Sequence, residues 1–504
     1  MTAKYRLSTG DREFFQLVLQ TARANPFMEE RRQFNMQLSG LAAGINASEH
    51  NKKGVNTVRE RFRRLETAGR DNFSQYVTED ELLLKKAAIF DFFHCFNAHF
   101  DRHIADQLQA GAKPVKVPFR DEAFAYLHRK GYSDEEKRRA FALTFQLWRA
   151  YYFIVRTLVG RSSLMKKLRQ RLWNNVFTHN IDFYLQYLWN RMEDFSTIIA
   201  GETGTGKGTA AMAIGRSGFI PFDEINSRFV ESFAQSFVTL NLSQFPEALI
   251  ESELFGHKKG AFTGAVDDHE GVLQRCSRYG AIFLDEIGEV SFPIQIKLLK
   301  VLEERLFSPV GSHEIHRFEG RIIAATNRDL DELVGKGVMR SDFYYRLCSD
   351  IITVVPLRDR IKDDPRELDD LLGVIVTKIL GVNAPEAIDH LRGLIVEQLG
   401  LNYDWPGNVR ELAQCVRRLL LNKRYEILPA GGDGRSSQFA LDLDQGNIDA
   451  QTLVRRYCNL LYGRFGTFGE VARRTKLDRR TVKKYIAAYN QQNRANSGNE
   501  ISKT

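Results

Sequence analysis

Apolar and polar residues follow two different rhythms along this chain, and the change falls near residue 158. Before it the pattern is helical. Ser133 to Glu136 has the spacing of a capping box, in which a hydroxyl and a carboxylate satisfy each other's backbone N–H groups. It opens a segment whose Phe141, Phe145, Trp148 and Tyr152 recur on one helical face, the stripe of a helix turned toward a core. Upstream, IFDFFHCFNAHFDRHIADQ carries His99 and His103 four residues apart, a spacing two metal ligands use, but without a companion cysteine or acidic cluster. Residues 1–157 are therefore expected to form a mostly α-helical region.

After 158, short runs of consecutive apolar residues alternate with helical stretches. The runs are STIIAG (196–201), SFVTLNLS (236–243), GAIFLDE (280–286), RIIAATN (321–327) and DIITVVPL (350–357). Strands buried on both faces of a parallel sheet read this way, and alternation with helices predicts a layered α/β domain over 158–360. Residues 361–428 return to the helical period and predict a small helical lid. PAGGDGRSSQ has linker composition, so 429–446 is expected to be a linker. Residues 447–490 predict a short all-α domain, followed by a polar tail over 491–504.

Composition sharpens this picture in one place. The chain has 504 residues and a net charge of +9. Residues 451–504 hold twelve Lys/Arg against three Asp/Glu, so the whole excess sits in the last tenth of the chain. Basic charge packed in that way predicts a polyanion partner at that end. No run of about 18 apolar residues offers a membrane span, and MTAKYRLSTGDREFF lacks the apolar core of a signal peptide. Five scattered cysteines without a CxxC pair argue against a zinc cluster or disulfide framework and fit a reducing cytoplasm.

The sharpest chemistry is GETGTGKGT, which follows the STIIA strand and precedes a helical stretch. Gly201, Glu202, Thr203, Gly204, Thr205, Gly206, Lys207, Gly208 and Thr209 read as a phosphate loop. Its backbone N–H groups turn around phosphates at a helix N-terminus, and Lys207 reaches the β- and γ-phosphates of ATP. Gly208 stands where a Mg²⁺-binding hydroxyl is usual, with Thr209 one place late. In GAIFLDE, Asp285 is expected to hold Mg²⁺, directly or through water, and Glu286 to polarise the attacking water. Thr326 and Asn327 end the next strand, where they sense the γ-phosphate. Arg340 and Arg346 flank SDFYY as candidate arginine fingers for a neighbour's ATP, which implies a ring.

With these residues in hand, the chain resembles the bacterial enhancer-binding proteins, the AAA+ ATPases that activate sigma-54 RNA polymerase. ESELFGHKKGAFTGA (251–265), LDEIGEVSFPIQIKLLKVLEE (284–304), RSDFYYRL (340–347), PLRDR (356–360) and WPGNVREL (405–412) carry the resemblance, which covers about 158–490. It implies trans-acting roles for Arg340 and Arg346 in a hexameric ring. It also implies a nucleotide contact for Arg410 in its own subunit, and a checking role for Asn241 against Glu286. Many members lack the hydroxyl after the lysine, as this chain does at Gly208. The GAFTGA segment, Gly260, Ala261, Phe262, Thr263, Gly264 and Ala265, matches the loop that touches sigma-54. Two features depart from the common pattern: the long stretch 171–195 before the first strand, and GVMR ahead of the first finger.

The basic C-terminus reads as a Fis-type helix-turn-helix. Thr467 to Glu470 again has capping-box spacing, Asp478 is a good N-cap for a second helix, and Val471, Ala472, Leu477, Val482 and Ile486 would form the shared core. Arg479, Arg480, Thr481, Lys483 and Lys484 then face double-stranded enhancer DNA. The expected function is a bacterial, cytoplasmic, DNA-bound activator that hydrolyses ATP to open sigma-54 promoter complexes. Two alternatives stand beside it: an AAA+ ATPase remodelling another protein or nucleic acid, and a DNA-binding repressor with a vestigial ATPase.

Overall fold

The computed structural model describes residues 4–400, 402–425 and 448–498. The proposed linker at 429–446 lies outside the described residues. The chain divides into two compact units, Met1–Leu421 and Asn422–Thr504.

The first unit is built on a five-stranded parallel sheet. Its strands are β1 (Thr197–Ala200), β2 (Phe237–Asn241), β3 (Ala281–Asp285), β4 (Arg321–Thr326) and β5 (Asp350–Thr353), in the order β2-β3-β4-β1-β5. These are the five runs whose continuous apolar character predicts burial on both faces. The interior strands comply: β3 and β4 are buried almost throughout. The outer strand β2 is only partly covered. The helix Lys207–Gly215 packs on this sheet from one face. Three helices, Glu367–Leu380, Pro385–Leu399 and Asn408–Asn422, form the lid region.

Residues 9–157 are helical as expected, in six helices: Thr9–Arg23, Glu29–Ser39, Ala47–Thr67, Thr78–Ala110, Arg120–Arg129 and Asp134–Thr157. The last begins with the full capping box. Ser133 Oγ accepts from the N–H of Glu136, and the Glu136 carboxylate accepts from the N–H of Ser133. The change of texture near 158 is not a break in the core. One apolar cluster runs from Phe92, Phe100, Phe141, Phe145 and Phe153 into Ala210, Ala211 and Ile214 of the helix behind the phosphate loop, and on to Ile199 and Ile323 of the sheet. A short hairpin, Phe222–Asp223 with Arg228–Phe229, reaches back into these helices. Phe229 stacks on Phe145 at 4.5 Å and Phe222 meets Phe141 at 4.8 Å. Such ring pairs contribute about 0.5–1.5 kcal/mol beyond their area. His103 lies buried among Phe119, Phe145 and Phe229, and burial holds it neutral, pushed down to about 4. Half-buried His99 lies tilted against Phe119 at 5.1 Å, so both imidazoles pack against aromatic rings.

The long stretch before β1 has a physical role. Helix Ser163–Phe177 is followed by a π-helical turn over Tyr184–Leu188, and Tyr184 is fully buried. Its hydroxyl is hydrogen-bonded to Gln146 of the N-terminal helices. At the far end, Arg321 of β4 donates to the carbonyl of Phe195 at 2.9 Å, and Arg305 pairs with Asp194. The insertion thus straps the last N-terminal helix to the start of the sheet.

Among its described residues the second unit has three helices, Ala450–Phe465, Phe468–Thr475 and Arg479–Gly498, around Cys458, Leu461, Val471, Val482 and Ile486, with Ala472 and Leu477 packed beside them. The last helix continues through the stretch expected to begin a polar tail. Only half of the second capping box forms: Thr467 accepts from the Glu470 N–H, while the Glu470 carboxylate turns to Arg473 and Arg474. Two adjacent guanidiniums outcompete one backbone N–H.

Phe145 is 1% exposed and joins three parts of this core. Phe145→Ala should destabilise the chain by about 3–5 kcal/mol in urea unfolding. A loss under about 1 kcal/mol would mean that the N-terminal helices do not share the ATPase core.

Candidate functional site

The site lies at the C-terminal ends of β1, β3 and β4, where an open parallel sheet binds its ligands. The phosphate loop leaves β1 and enters the helix Lys207–Gly215 through Gly206 in a left-handed conformation. Lys207 is buried, and its ammonium donates to the carbonyls of Gly201 at 2.8 Å and Glu202 at 3.2 Å. Burial lowers its affinity for the proton, while Glu286 and Asp285 act in the opposite sense. Thr205 closes the loop by donating to the Glu202 carbonyl at 2.8 Å.

Asp285 ends β3, and one of its carboxylate oxygens accepts from the N–H of Glu286 at 3.1 Å. Glu286 adopts a left-handed backbone, φ 58°, a sparsely populated conformation for such a residue that concentrates at functional sites. Burial raises its carboxyl above the ordinary range. Lys207 opposes that rise, Asp285 adds to it, and the backbone N–H of Asn327 opposes it again. Asn327 also donates from its side chain to Thr203 at 3.1 Å, tying the end of β4 to the loop. Thr326 is fully buried, and its hydroxyl accepts from the N–H of Arg328.

The remaining candidates divide. Asn241 lies in register with Asp285 across β2 and β3, but its side chain accepts from the N–H and hydroxyl of Ser243 rather than meeting Glu286. Arg340 forms a two-pronged pair with Asp342, at 3.0 and 2.7 Å. Arg346 donates to the Leu302 carbonyl at 3.0 and 2.9 Å. Neither is hydrogen-bonded to the phosphate loop of its own chain among the described residues. Buried Gln295 places the first of them, accepting from the Arg340 N–H at 2.9 Å and donating to Val338 and Val290. Arg410 is exposed, and its Cβ lies 3.1 Å from where a side chain on Gly204 would begin.

A group of residues outside the expected set holds the lid to the loop. Asn408 donates to the Glu202 carboxylate and to the Thr203 carbonyl, each at 3.1 Å, and accepts from the Leu357 N–H at 2.8 Å. Arg358 clasps the same Glu202 carboxylate with both amino groups, holding its pKa below the usual range. Gly204 explains one glycine of the motif: a Cβ there would sit 2.3 Å from the Gly407 carbonyl oxygen. Sequence spacing carries no signal for these contacts, because the partners stand 156 and 206 residues apart.

The GAFTGA segment forms a compact exposed loop. Gly260 and Gly264 have positive φ, the Gly260 N–H donates to the Ala265 carbonyl, and the Ala265 N–H to the Phe262 carbonyl. Phe262 is 37% exposed and rests edge-on against the His257 ring at 4.9 Å. The loop leans on a second one, where Lys258 donates to the Val310 carbonyl and Val310 to that of Gly256. Thr263 is exposed. In the second unit Asp478 caps the last helix by accepting from Arg480 at 2.6 Å. Arg479, Arg480, Lys483 and Lys484 are exposed there, with Thr481 half-buried.

A parallel sheet of this order, a phosphate loop behind β1, an Asp-Glu pair ending β3 and a helical lid define a P-loop ATPase of the AAA+ type. Residues 185–353 match the family described as the Sigma-54 interaction domain. The Nif-specific regulatory protein of Azotobacter vinelandii is 39% identical over 275 residues, covering 53% of this chain and 48% of its own. The regulatory protein AtoC of Escherichia coli is 36% identical over 256 residues, covering 49% and 50%. The chain spans about half the length of the curated relatives it matches. Among solved structures, NtrX from Brucella abortus in complex with ATP is 22% identical over 73% of this chain and 79% of its own, with a TM-score of 0.42.

Asn408→Ala removes all three side-chain bonds and leaves the Leu357 N–H buried without a partner. It should cost about 1–3 kcal/mol in stability and weaken binding of a fluorescent ATP analogue. Unchanged nucleotide affinity in a folded variant would show that the lid contact does not shape the loop.

Proposed function

We propose that this protein is an ATP-driven transcription activator that binds enhancer DNA and remodels closed sigma-54 RNA polymerase complexes into open ones. The observation that carries this reading is the path of the chain between chemistry and output. From Asn241, beside Asp285 in the sheet, it runs through one short turn and the helix Glu247–Phe255 directly into the GAFTGA loop. The strand end beside Asp285 and the exposed Phe-Thr pair are thus linked through a single short helix.

The chemistry follows from the residues present. Lys207 and the loop N–H groups hold the β- and γ-phosphates. Glu286 takes a proton from water as the water oxygen bonds to the γ-phosphorus and the bond to ADP breaks. Asp285, one of whose oxygens accepts from a backbone N–H, would hold Mg²⁺ with the other, and that ion would neutralise phosphate charge when bound. Arg340 and Arg346 complete the site from a neighbouring subunit of a ring, which fits their absence from their own phosphate loop. In the second unit, four exposed cations on one helix support contact with DNA phosphates and guanine edges. No helix among the described residues is long and apolar enough to cross a membrane, which accords with a bacterial cytoplasmic setting.

Glu286→Gln should bind ATP with near-normal affinity while steady-state hydrolysis falls by about 10²–10⁴-fold. In the unaltered protein, Glu286 must be ionised to act, and its raised pKa puts the acid limb of the pH–rate profile above 4.5, the ordinary glutamate value. Turnover is lost as pH falls through that limb. A limb at or below the ordinary value would assign the base elsewhere. Thr263→Ala should hydrolyse ATP within about twofold of the parent yet fail to form open complexes with sigma-54 holoenzyme on a supercoiled promoter. Full open-complex formation by that variant would transfer the reading to an ATPase acting on another substrate.

A further inference from the structure

The N-terminal helices and the helix Ser163–Phe177 line an open cleft of about 440 Å³ that the nucleotide chemistry does not use. Its wall is aromatic: Phe90 and Phe93 from Thr78–Ala110, Trp148 and Tyr151 from Asp134–Thr157, and Trp173 from Ser163–Phe177. Sites for small molecules have this character, apolar walls with a few placed polar groups and volumes of about 300–1,000 Å³.

The polar groups define the ligand. Arg31 lines the cavity, with its guanidinium 5.7 Å from the Phe90 ring centre and one amino group donating to the Thr21 carbonyl at 2.5 Å. No Asp or Glu lines the cavity. Burial pulls Arg31 down to about 10, which leaves it charged at neutral pH, and the only opposing influence is a tyrosine. His94 lines the same wall and is held neutral, pushed down to about 3 by burial and by the charge of Arg31; its Nε2 is buried without a hydrogen-bond partner. Asn35, Asn51 and Asn97 add amides that donate and accept. Arg31 is half-buried and one amino group donates to backbone carbonyls, so a guanidinium with no carboxylate in the cavity wall is placed to pair with an anion that enters.

We infer that this cavity is an effector site for a small aromatic carboxylate, its charge paired with Arg31 and its ring held among Trp148, Tyr151 and Trp173. The site has a lever on the ATPase. The helices carrying Trp148 and Trp173 both pack on the helix Lys207–Gly215, which begins with the phosphate-binding lysine. Asn25, one residue from the cavity-lining Pro26, clamps Ser163–Phe177 by donating to Gln170 at 3.1 Å and Asn174 at 2.8 Å. Ordering these helices by a ligand shifts nucleotide affinity, and bound nucleotide shifts ligand affinity by the same factor. None of this depends on the identity of the remodelled partner.

Titration calorimetry of the full chain with 2-naphthoate, and with 2-naphthamide as the uncharged control, tests the site. Two of the chain's four tryptophans line the cavity, so their emission gives a second readout. The expected result is one naphthoate per chain, a changed tryptophan emission, and an amide affinity at least tenfold weaker. Arg31→Gln should weaken naphthoate at least tenfold, to the level of the amide. Should that variant not fold, Ser48→Phe at the exposed rim leaves Arg31 and its carbonyl contact intact and should abolish binding of both compounds. No naphthoate binding at millimolar concentration, or binding indifferent to both substitutions, overturns the site. An ATP Kd unchanged by saturating naphthoate overturns the coupling. Either failure leaves open-complex formation by the parent protein untouched.

Discussion

A single buried amide holds three distant segments at the nucleotide site. Asn408 has no solvent exposure, and its side chain satisfies Leu357, Glu202 and Thr203 at once. Its neighbour Trp405 takes a left-handed backbone, φ 47°, a conformation that costs a bulky residue about 1–3 kcal/mol. The surrounding bonds offset that strain: the Trp405 carbonyl accepts from the Asn408 N–H at 2.7 Å, and Val409 donates to Gly204. The consequence is mechanical. The lid helix starts at the residue that grips the phosphate loop, so a shift in either moves Arg410 and Lys207 together.

The opposite side of the loop is equally confined. The helix that follows Lys207 has its alanines in one core with Phe145 and Phe153 of the N-terminal helices. Gln146 adds buried hydrogen bonds to Tyr184 and to the Ser217 carbonyl just beyond that helix. The phosphate loop therefore lies between a lid fixed by polar contacts and an N-terminal region fixed by aromatic packing. Polar contacts re-form with changing ligands, whereas a close-packed core transmits displacement. Control from the N-terminal region would thus act through packing, and response to nucleotide through hydrogen bonds.

How far the sequence revealed this follows from the range of each interaction. Strands buried on both faces leave an apolar run that is read locally, and all five are found where such runs stand. The loop residues 201–209 and Asp285–Glu286 are legible because phosphate chemistry demands fixed residue types at fixed spacing. Long-range partners are not legible. Arg358 and Asn408 stand in the PLRDR and WPGNVREL segments, but nothing local to either names Glu202 as the shared partner, and only the folded chain brings them to it. The cavity at Arg31 was equally hidden, since its walls come from separate helices whose aromatics read simply as core. Asn241 shows the converse. Its motif position puts it beside Asp285, yet local chemistry gives its side chain to Ser243, a bond within two residues that forms at little entropic cost.

Under the proposed function hydrolysis would lift the GAFTGA loop, and the bonds that hold the loop set the magnitude this requires. Two backbone bonds join the loop to its neighbour, Lys258 to Val310 and Val310 to Gly256. At about 0.5–1.5 kcal/mol each, with about as much again for Phe262 against His257, freeing the loop costs a few kcal/mol. Reversing a population from 1:99 to 99:1 takes about 5.5 kcal/mol of differential affinity. Under the proposed function, that difference would come from gain or loss of a phosphoryl group beside Lys207, Asp285 and Glu286. The bonds within the loop, Gly260 to Ala265 and Ala265 to Phe262, need not break, so it would rise as a folded unit and present Phe262 and Thr263 in a fixed relation.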